Sequence, residues 1–252
     1  MIRAAIFDMY ETLVTLFAVP AYLSPRMAAD AGLAEEDFRP LWQATEEDRT
    51  LGRVTAEEAV AGILRAFGCP GGERLKRVLE GRARFRREAF SHLHPQILPM
   101  LEVLKERGLR LALISNCHSD EAARIRESVL YPYFDAVCLS YEEKMKKPDP
   151  AIYLRCLDRL GLSAEECLYV GDGGSDELRA AKRVGMRPVQ ALWYLREGTP
   201  QPVGRLAEFV GAETPLRIPE LIRALNEGTP RSGREGAPAE GYRLSPPKDG
   251  GG

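Results

Sequence analysis

Seven polar residues stand at the ends of apolar runs: Asp8 and Thr12 after "AAIF", Ser115 and Asn116 closing "LALISN", Lys147 in "KMKKPDP", and Asp172 and Asp176 in "VGDGGSDE". If those runs are strands of one parallel sheet, the loops that follow them share one edge. Asp8, Asp172 and Asp176 would then crowd carboxylates at a partly buried place, which is unfavourable without a cation. A hard divalent ion with oxygen ligands such as Mg²⁺ relieves the crowding, and Lys147 neutralises a further charge. Such a site attracts a doubly charged phosphate, to which Ser115 and backbone N–H groups donate hydrogen bonds. A carboxylate such as Asp8 can then act as a nucleophile and form an aspartyl-phosphate. Taken singly, the residues have plainer readings as turn or helix caps, an ordinary loop and a solvated lysine cluster with Lys144 and Lys146. Their order and strand context give the chemical reading its weight.

The elements that must position them are short apolar runs alternating with amphipathic segments. Residues 2–7, 109–115, 134–140, 167–171 and 188–192 read as strands, their near-continuous apolar content suiting a parallel sheet covered on both faces. Helical patterns over 95–108, 149–161 and 175–185 each end at a glycine, where a left-handed cap residue is expected. Strand–helix–strand alternation predicts a doubly wound α/β sheet with its chemistry at the carboxyl ends of the strands. Residues 15–94 break the rhythm, with helical stretches near 20–31, 35–51, 55–67 and 72–91. Thr55 and Glu58 have the spacing of a capping box at the start of the third. An all-helical insert after the first strand reads as a lid that excludes water. The division expected is an α/β core of 1–14 and 95–226, a helical cap of 15–94, and a disordered Gly- and Pro-rich tail of 227–252.

Bulk composition narrows the partners. A net charge of −2 creates no strong field favouring nucleic acid or an anionic membrane. The basic stretch Arg74–Arg87 reads as a solvated helix face. The 5 cysteines are scattered with no CxxC pair, which suits reduced thiols in a cytosol-like compartment. No run approaches the ~20 apolar residues of a membrane span, and none at the amino terminus resembles a signal peptide. A soluble, cytoplasmic protein acting on a small molecule is expected.

The stretches "IFDMYETLV", "LISN", "KKPDPAIY" and "YVGDGGSDELRAAKRVGM" together resemble the haloacid dehalogenase superfamily, whose members are mostly phosphatases. The resemblance covers residues 1–14 and about 95–225, and the insert is placed like that family's helical cap. It implies a Rossmann-like, mainly parallel sheet with a small all-helical cap. It further implies Asp8 as nucleophile, Thr12 as support for its loop, Ser115 as binder of the transferred group, and Tyr10 and Asn116 beside Ser115 as substrate-binding residues. Lys147, directly before "PDP", would steady the nucleophile. Mg²⁺ would be held by Asp8, the Tyr10 carbonyl and Asp172, with Asp176 as an outer acid orienting metal waters or Lys147.

Two positions depart from the phosphatase pattern. A second aspartate usually stands two residues after the nucleophile to protonate the leaving group, and a glycine follows it; this chain has Tyr10 and Glu11. Tyrosine there resembles the metal-independent 2-haloacid dehalogenases, and a phenol of pKa ~10 is a poor proton donor near neutrality. The "GDGGSD" acids instead favour a cation and repel a carboxylate substrate. The reading is therefore an Mg²⁺-dependent hydrolase of a small phosphorylated metabolite. The alternatives are a 2-haloacid dehalogenase, and a degenerate member kept for binding or regulation. His118 is a candidate replacement acid, His92 and His94 flank the hinge as structural residues, and Trp42, Gln43, Glu46 and Arg49 lie on helical spacing that could reach the site.

Overall fold

The computed structural model describes residues 1–69, 71–195 and 203–228. Of the expected tail, Glu227 and Gly228 are among them; residues 229–252 lie outside the described residues. After the first strand, β1 (Ala4–Phe7), the described elements up to Ser91 are helical: α1 (Ser24–Ala31), α2 (Glu35–Ala44), α3 (Glu46–Thr50), α4 (Ala56–Ala66) and α5 (Glu73–Ser91). The expected helix over 35–51 is broken at Thr45. Its hydroxyl donates to the Trp42 carbonyl at 3.1 Å and the Arg49 guanidinium donates to the same oxygen at 2.5 Å. Side chains thus take an acceptor that a continuous helix would use.

The chain then alternates: α6 (Ile97–Glu106), β2 (Arg110–Ser115), α7 (Ser119–Arg126), β3 (Ala136–Leu139), α8 (Ser140–Glu143), α9 (Pro150–Leu160), β4 (Cys167–Gly171), α10 (Glu177–Val184), β5 (Arg187–Ala191), β6 (Val210–Ala212) and α11 (Arg217–Glu227). All neighbouring strands pair parallel in the order β3-β2-β1-β4-β5-β6. The five expected strands are present, β4 at the bounds read for it. Alternate residues explain their unbroken apolar character. Ala5, Phe7, Leu111 and Leu113 join a core shared with α6 and the helical layer, while Ala4, Ile6, Ala112 and Ile114 pack with α9 and α10. β1 is central, so its carboxyl end opens between β2 and β4, where the order of connection reverses.

Candidate active site

Asp8 is the first residue beyond β1. Its N–H still donates to the Val170 carbonyl at 2.9 Å, so the sheet ladder fixes its backbone while its carboxylate is buried at the carboxyl edge. Lys147 comes from the loop after α8. The Asn116 amide grips that loop on both sides, accepting from the Lys147 N–H at 2.8 Å and donating to the Lys147 carbonyl at 3.0 Å. The buried ammonium is thereby aimed at two carboxylates, Asp8 Oδ1 and Glu177 Oε2, each at 2.5 Å. Burial alone would depress Lys147, but Asp8 and Glu177 overcome it and hold the ammonium charged above the ordinary lysine range. Lys144 and Lys146 are spent elsewhere, on the Gly52 carbonyl and on Glu47.

Asp172 follows β4. Its Oδ1 accepts the Gly174 N–H at 2.9 Å and its carbonyl accepts from Gln190 at 2.9 Å. Burial first, and then the charge of Glu177, push its carboxyl up to about 7. Asp8 is likewise raised, by burial against the opposing pull of Lys147. Carboxylate oxygens of Asp8, Asp172 and Glu177 lie within 4.8 Å of one another. Two of these acids were expected there; the third was not.

The structure corrects the position of Asp176. It is partly exposed and pairs with Arg179 at 3.0 Å and Arg183 at 3.2 Å, outside the acid cluster. Ser175 and Asp176 both take left-handed conformations, at φ 53 and φ 51, so the turn holds two residues that the expected helix over 175–185 included. Helix α10 then begins at Glu177, which is fully buried. Glu177 is held by the Tyr169 hydroxyl at 2.8 Å and the Gly173 N–H at 3.1 Å. A sequence signal for it exists in Gly171: a Cβ at that strand end would overlap the Glu177 carboxylate.

The remaining candidates are distributed unevenly. Ser115 is buried at the end of β2, with its hydroxyl 3.5 Å from the Asn116 carbonyl. Among the described residues the buried hydroxyls of Thr12 and Tyr10 have no hydrogen-bond partner, which is costly unless a ligand or water meets them. Tyr10 packs edge-on to Phe90, and burial, followed by Glu121, raises its phenol well above the ordinary tyrosine value. Glu11 sits at φ 56, where glycine is favoured, yet its carboxylate accepts from Thr15 Oγ1 at 2.6 Å and from the Leu16 N–H at 2.8 Å. It binds the turn it strains.

A cleft of 480 Å³ opens between Tyr10, Asn116, His118 and Lys147 on the sheet side and Glu46 and Thr50 on the helical side. His118 caps α7, its N–H donating to Glu121 at 2.7 Å, and its Nε2 meets Glu46 at 3.0 Å. Trp42 packs edge-on to His118 and, with Gln43 and Glu46, lines an adjoining cavity of 370 Å³, whereas Arg49 is fully buried and stacks 3.4 Å over the Trp42 ring. His94 stacks edge-on to Tyr194, and its N–H donates to the Tyr194 hydroxyl at 2.8 Å.

A buried carboxylate, a buried lysine and a second acid thus meet at the switch point of a parallel sheet. Residues 2–185 match the haloacid dehalogenase-like hydrolase family, and the chain belongs to it. Among its curated relatives is a phosphoglycolate phosphatase of Rhodospirillum rubrum, 30% identical over 221 residues, 82% of this chain and 86% of that protein. Another is the (S)-2-haloacid dehalogenase 4A of Burkholderia cepacia, 30% identical over 213 residues, 79% of this chain and 85% of that one. The chain spans about half the length of other curated relatives that it matches, 44% and 49% in two of them. The fold is that of a 2-haloacid dehalogenase from Pseudomonas syringae pv. Tomato DC3000, with a TM-score of 0.64 at 22% identity, covering 89% of this chain and all of that one. No helix among the described residues is long and apolar enough to cross a membrane.

Proposed function

We propose that the protein is an Mg²⁺-dependent phosphatase of a small phosphorylated metabolite, working through an aspartyl-phosphate on Asp8, with residues 15–94 as a cap over the cleft. The observation that carries this is the pairing of Asp8 with Asp172, whose carboxyl is pushed up to about 7 by burial and neighbouring acid. That crowding is the signature of a cation position, and it opposes the carboxylate of a haloacid substrate. The donors fit a hard ion: Oδ2 of Asp8 and Oδ2 of Asp172 carry no hydrogen bond among the described residues. Those two side chains and the Tyr10 carbonyl would hold Mg²⁺, which supplies positive charge to the phosphoryl oxygens. Both oxygens of Glu177 are already engaged, so we assign Glu177 to Lys147 rather than to the ion.

In this reading Lys147 keeps Asp8 ionised and oriented. An Asp8 oxygen attacks phosphorus as the bond to the leaving oxygen breaks; water then cleaves the aspartyl-phosphate, releasing inorganic phosphate and restoring the carboxylate. Tyr10, its phenol held far from neutrality, donates a proton reluctantly, so substrates with good leaving groups should turn over fastest. The test is a panel of acyl, aryl and alkyl phosphates, together with 2-chloropropionate, each with Mg²⁺ and with EDTA. Phosphate release is expected in the order acyl and aryl above alkyl, abolished by EDTA and reduced at least about a thousandfold in Asp8→Asn. Release surviving either treatment overturns the proposal, and EDTA-insensitive chloride release would assign the dehalogenase reaction instead.

A further inference from the structure

At the amino edge of the sheet, opposite the catalytic loops, lies a second cavity of 320 Å³. Four arginines line it, Arg3 ahead of β1, Arg107 and Arg110 around the turn from α6 to β2, and Arg223 on α11; among the described residues no aspartate or glutamate does. In a chain of net charge −2, that is a strong local inversion of sign. Four like charges around one hollow repel each other, and an anion in the hollow relieves the repulsion.

Two of the arginines are prepared for such an anion. Arg107 Nη1 donates to the Pro219 carbonyl at 2.8 Å, and Arg110 Nη1 donates to the Leu160 carbonyl at 2.9 Å. A backbone carbonyl fixes the plane of a guanidinium without forming an ion pair, and each guanidinium carries four further N–H groups, although Arg110 also acts on the nearby Asp135 carboxyl and helps to hold it down. Neither forms an ion pair with a carboxylate among the described residues, whereas Arg3 meets Glu166 at 2.9 Å and Arg223 approaches Glu227 at 3.9 Å. The nearby backbone donors are spent: Arg3 N–H on the Glu166 carbonyl, Leu109 N–H on Leu104, Arg110 N–H on Arg3. Recognition would therefore come from guanidinium forks, whose geometry matches phosphate oxygens two at a time.

We propose that this cavity binds a small molecule carrying a diphosphate group, at a site separate from the catalytic cleft. Two adjoining phosphates, each of about −1.5 to −2 charge when terminal, match two free guanidiniums backed by two partly compensated ones. A volume of 320 Å³ falls at the small end of ligand sites, about 300–1,000 Å³, which suits a diphosphate better than a larger polyanion.

Calorimetric titration of the full chain with inorganic pyrophosphate tests this, using Asp8→Asn in EDTA so that neither turnover nor the catalytic metal contributes. One equivalent should bind, and Kd should weaken at least about tenfold in the Arg107→Gln/Arg110→Gln variant and in Arg223→Glu. Arg223 is exposed on its helix, so its reversal leaves the fold intact even if the double variant does not fold. Unchanged Kd in Arg223→Glu, or equal binding of sulfate at matched ionic strength, overturns the proposal. Arg223→Glu with Asp8 intact should keep the parent rate of phosphate release, so a negative result here leaves the reaction proposed for Asp8 standing.

Discussion

Two buried carboxylates share the Lys147 ammonium, and the one nearer in sequence to the metal-motif acid is the one that spacing overlooked. Glu177→Gln keeps the size of the side chain and removes its charge, so Lys147 turns wholly to Asp8 and weakens the nucleophile proposed there. Phosphate release should fall about ten- to a hundredfold, as when a partner of an active-site group is removed. Unfolding stability should fall by about 1–3 kcal/mol. Asp176→Asn breaks only partly exposed pairs with Arg179 and Arg183, so it should leave the rate within about twofold. Steady-state kinetics and urea unfolding of the two variants decide the matter; a larger kinetic loss in Asp176→Asn would return that residue to the site. Glu11 belongs to the same scale of reasoning. Its left-handed backbone is stabilised by its own carboxylate bonds to Thr15 and Leu16, which accounts for a non-glycine residue in that turn.

Among the elements, α4 begins as its sequence dictates. Thr55 accepts the Glu58 N–H at 3.0 Å and Glu58 accepts the Thr55 N–H at 2.8 Å, closing the box. Thr55→Ala should cost about 1 kcal/mol of stability with phosphate release unchanged, read from urea midpoints and initial rates. Unaltered stability would mean that the cap bonds exchange freely with water. Elements of this kind were legible because local chemistry alone starts or stops them, as at Gly161 and Gly185, which leave α9 and α10 at φ 61 and φ 103. The strands ending at Asp8, Ser115 and Gly171 were legible because both faces of a buried parallel strand must be apolar. What stayed hidden was decided by partners far along the chain. Helix α7 buries Glu121 beside Ala122 and Ile125, its acids answering Arg82 and Arg86 on α5, so it shows no clean apolar stripe. The edge strand β6 is 3 residues long, too short to display a period. At the site, Glu177 escaped because the left-handed Ser175–Asp176 pair moved the helix start from 175 to 177.

For the molecule as a whole, an ionic seam between the helical layer and α7 lies beside the apolar core that the layer shares with the sheet, and it borders the cleft. Arg82 grips Asp120 through two hydrogen bonds of 2.9 and 3.0 Å, Arg86 pairs with Glu121, and His118 meets Glu46. Burial alone would raise the Asp120 carboxyl, but Arg82 and Arg86 overcome it and hold it at about 2, against an ordinary 3.8. Glu121 is lowered in the same way, by Arg86 and then His118 against its burial. A carboxyl whose folded value lies below its unfolded one stabilises fully above the unfolded value and loses that contribution as pH falls toward the folded one. Asp120 therefore supplies about 2 kcal/mol at neutral pH, lost between roughly pH 4 and pH 2. Urea unfolding followed from pH 7 to pH 2.5 should show that loss, and Asp120→Asn should be flatter over the acid limb by a similar amount. The same variant should be weaker at pH 7, since Arg82 and Arg86 then keep buried charge with less to answer it. An acid limb equally steep in both proteins would place the acid sensitivity elsewhere. If the limbs differ as expected, acid weakens the seam between α5 and α7, whose residue Glu121 also borders the cleft that holds Tyr10 and Lys147.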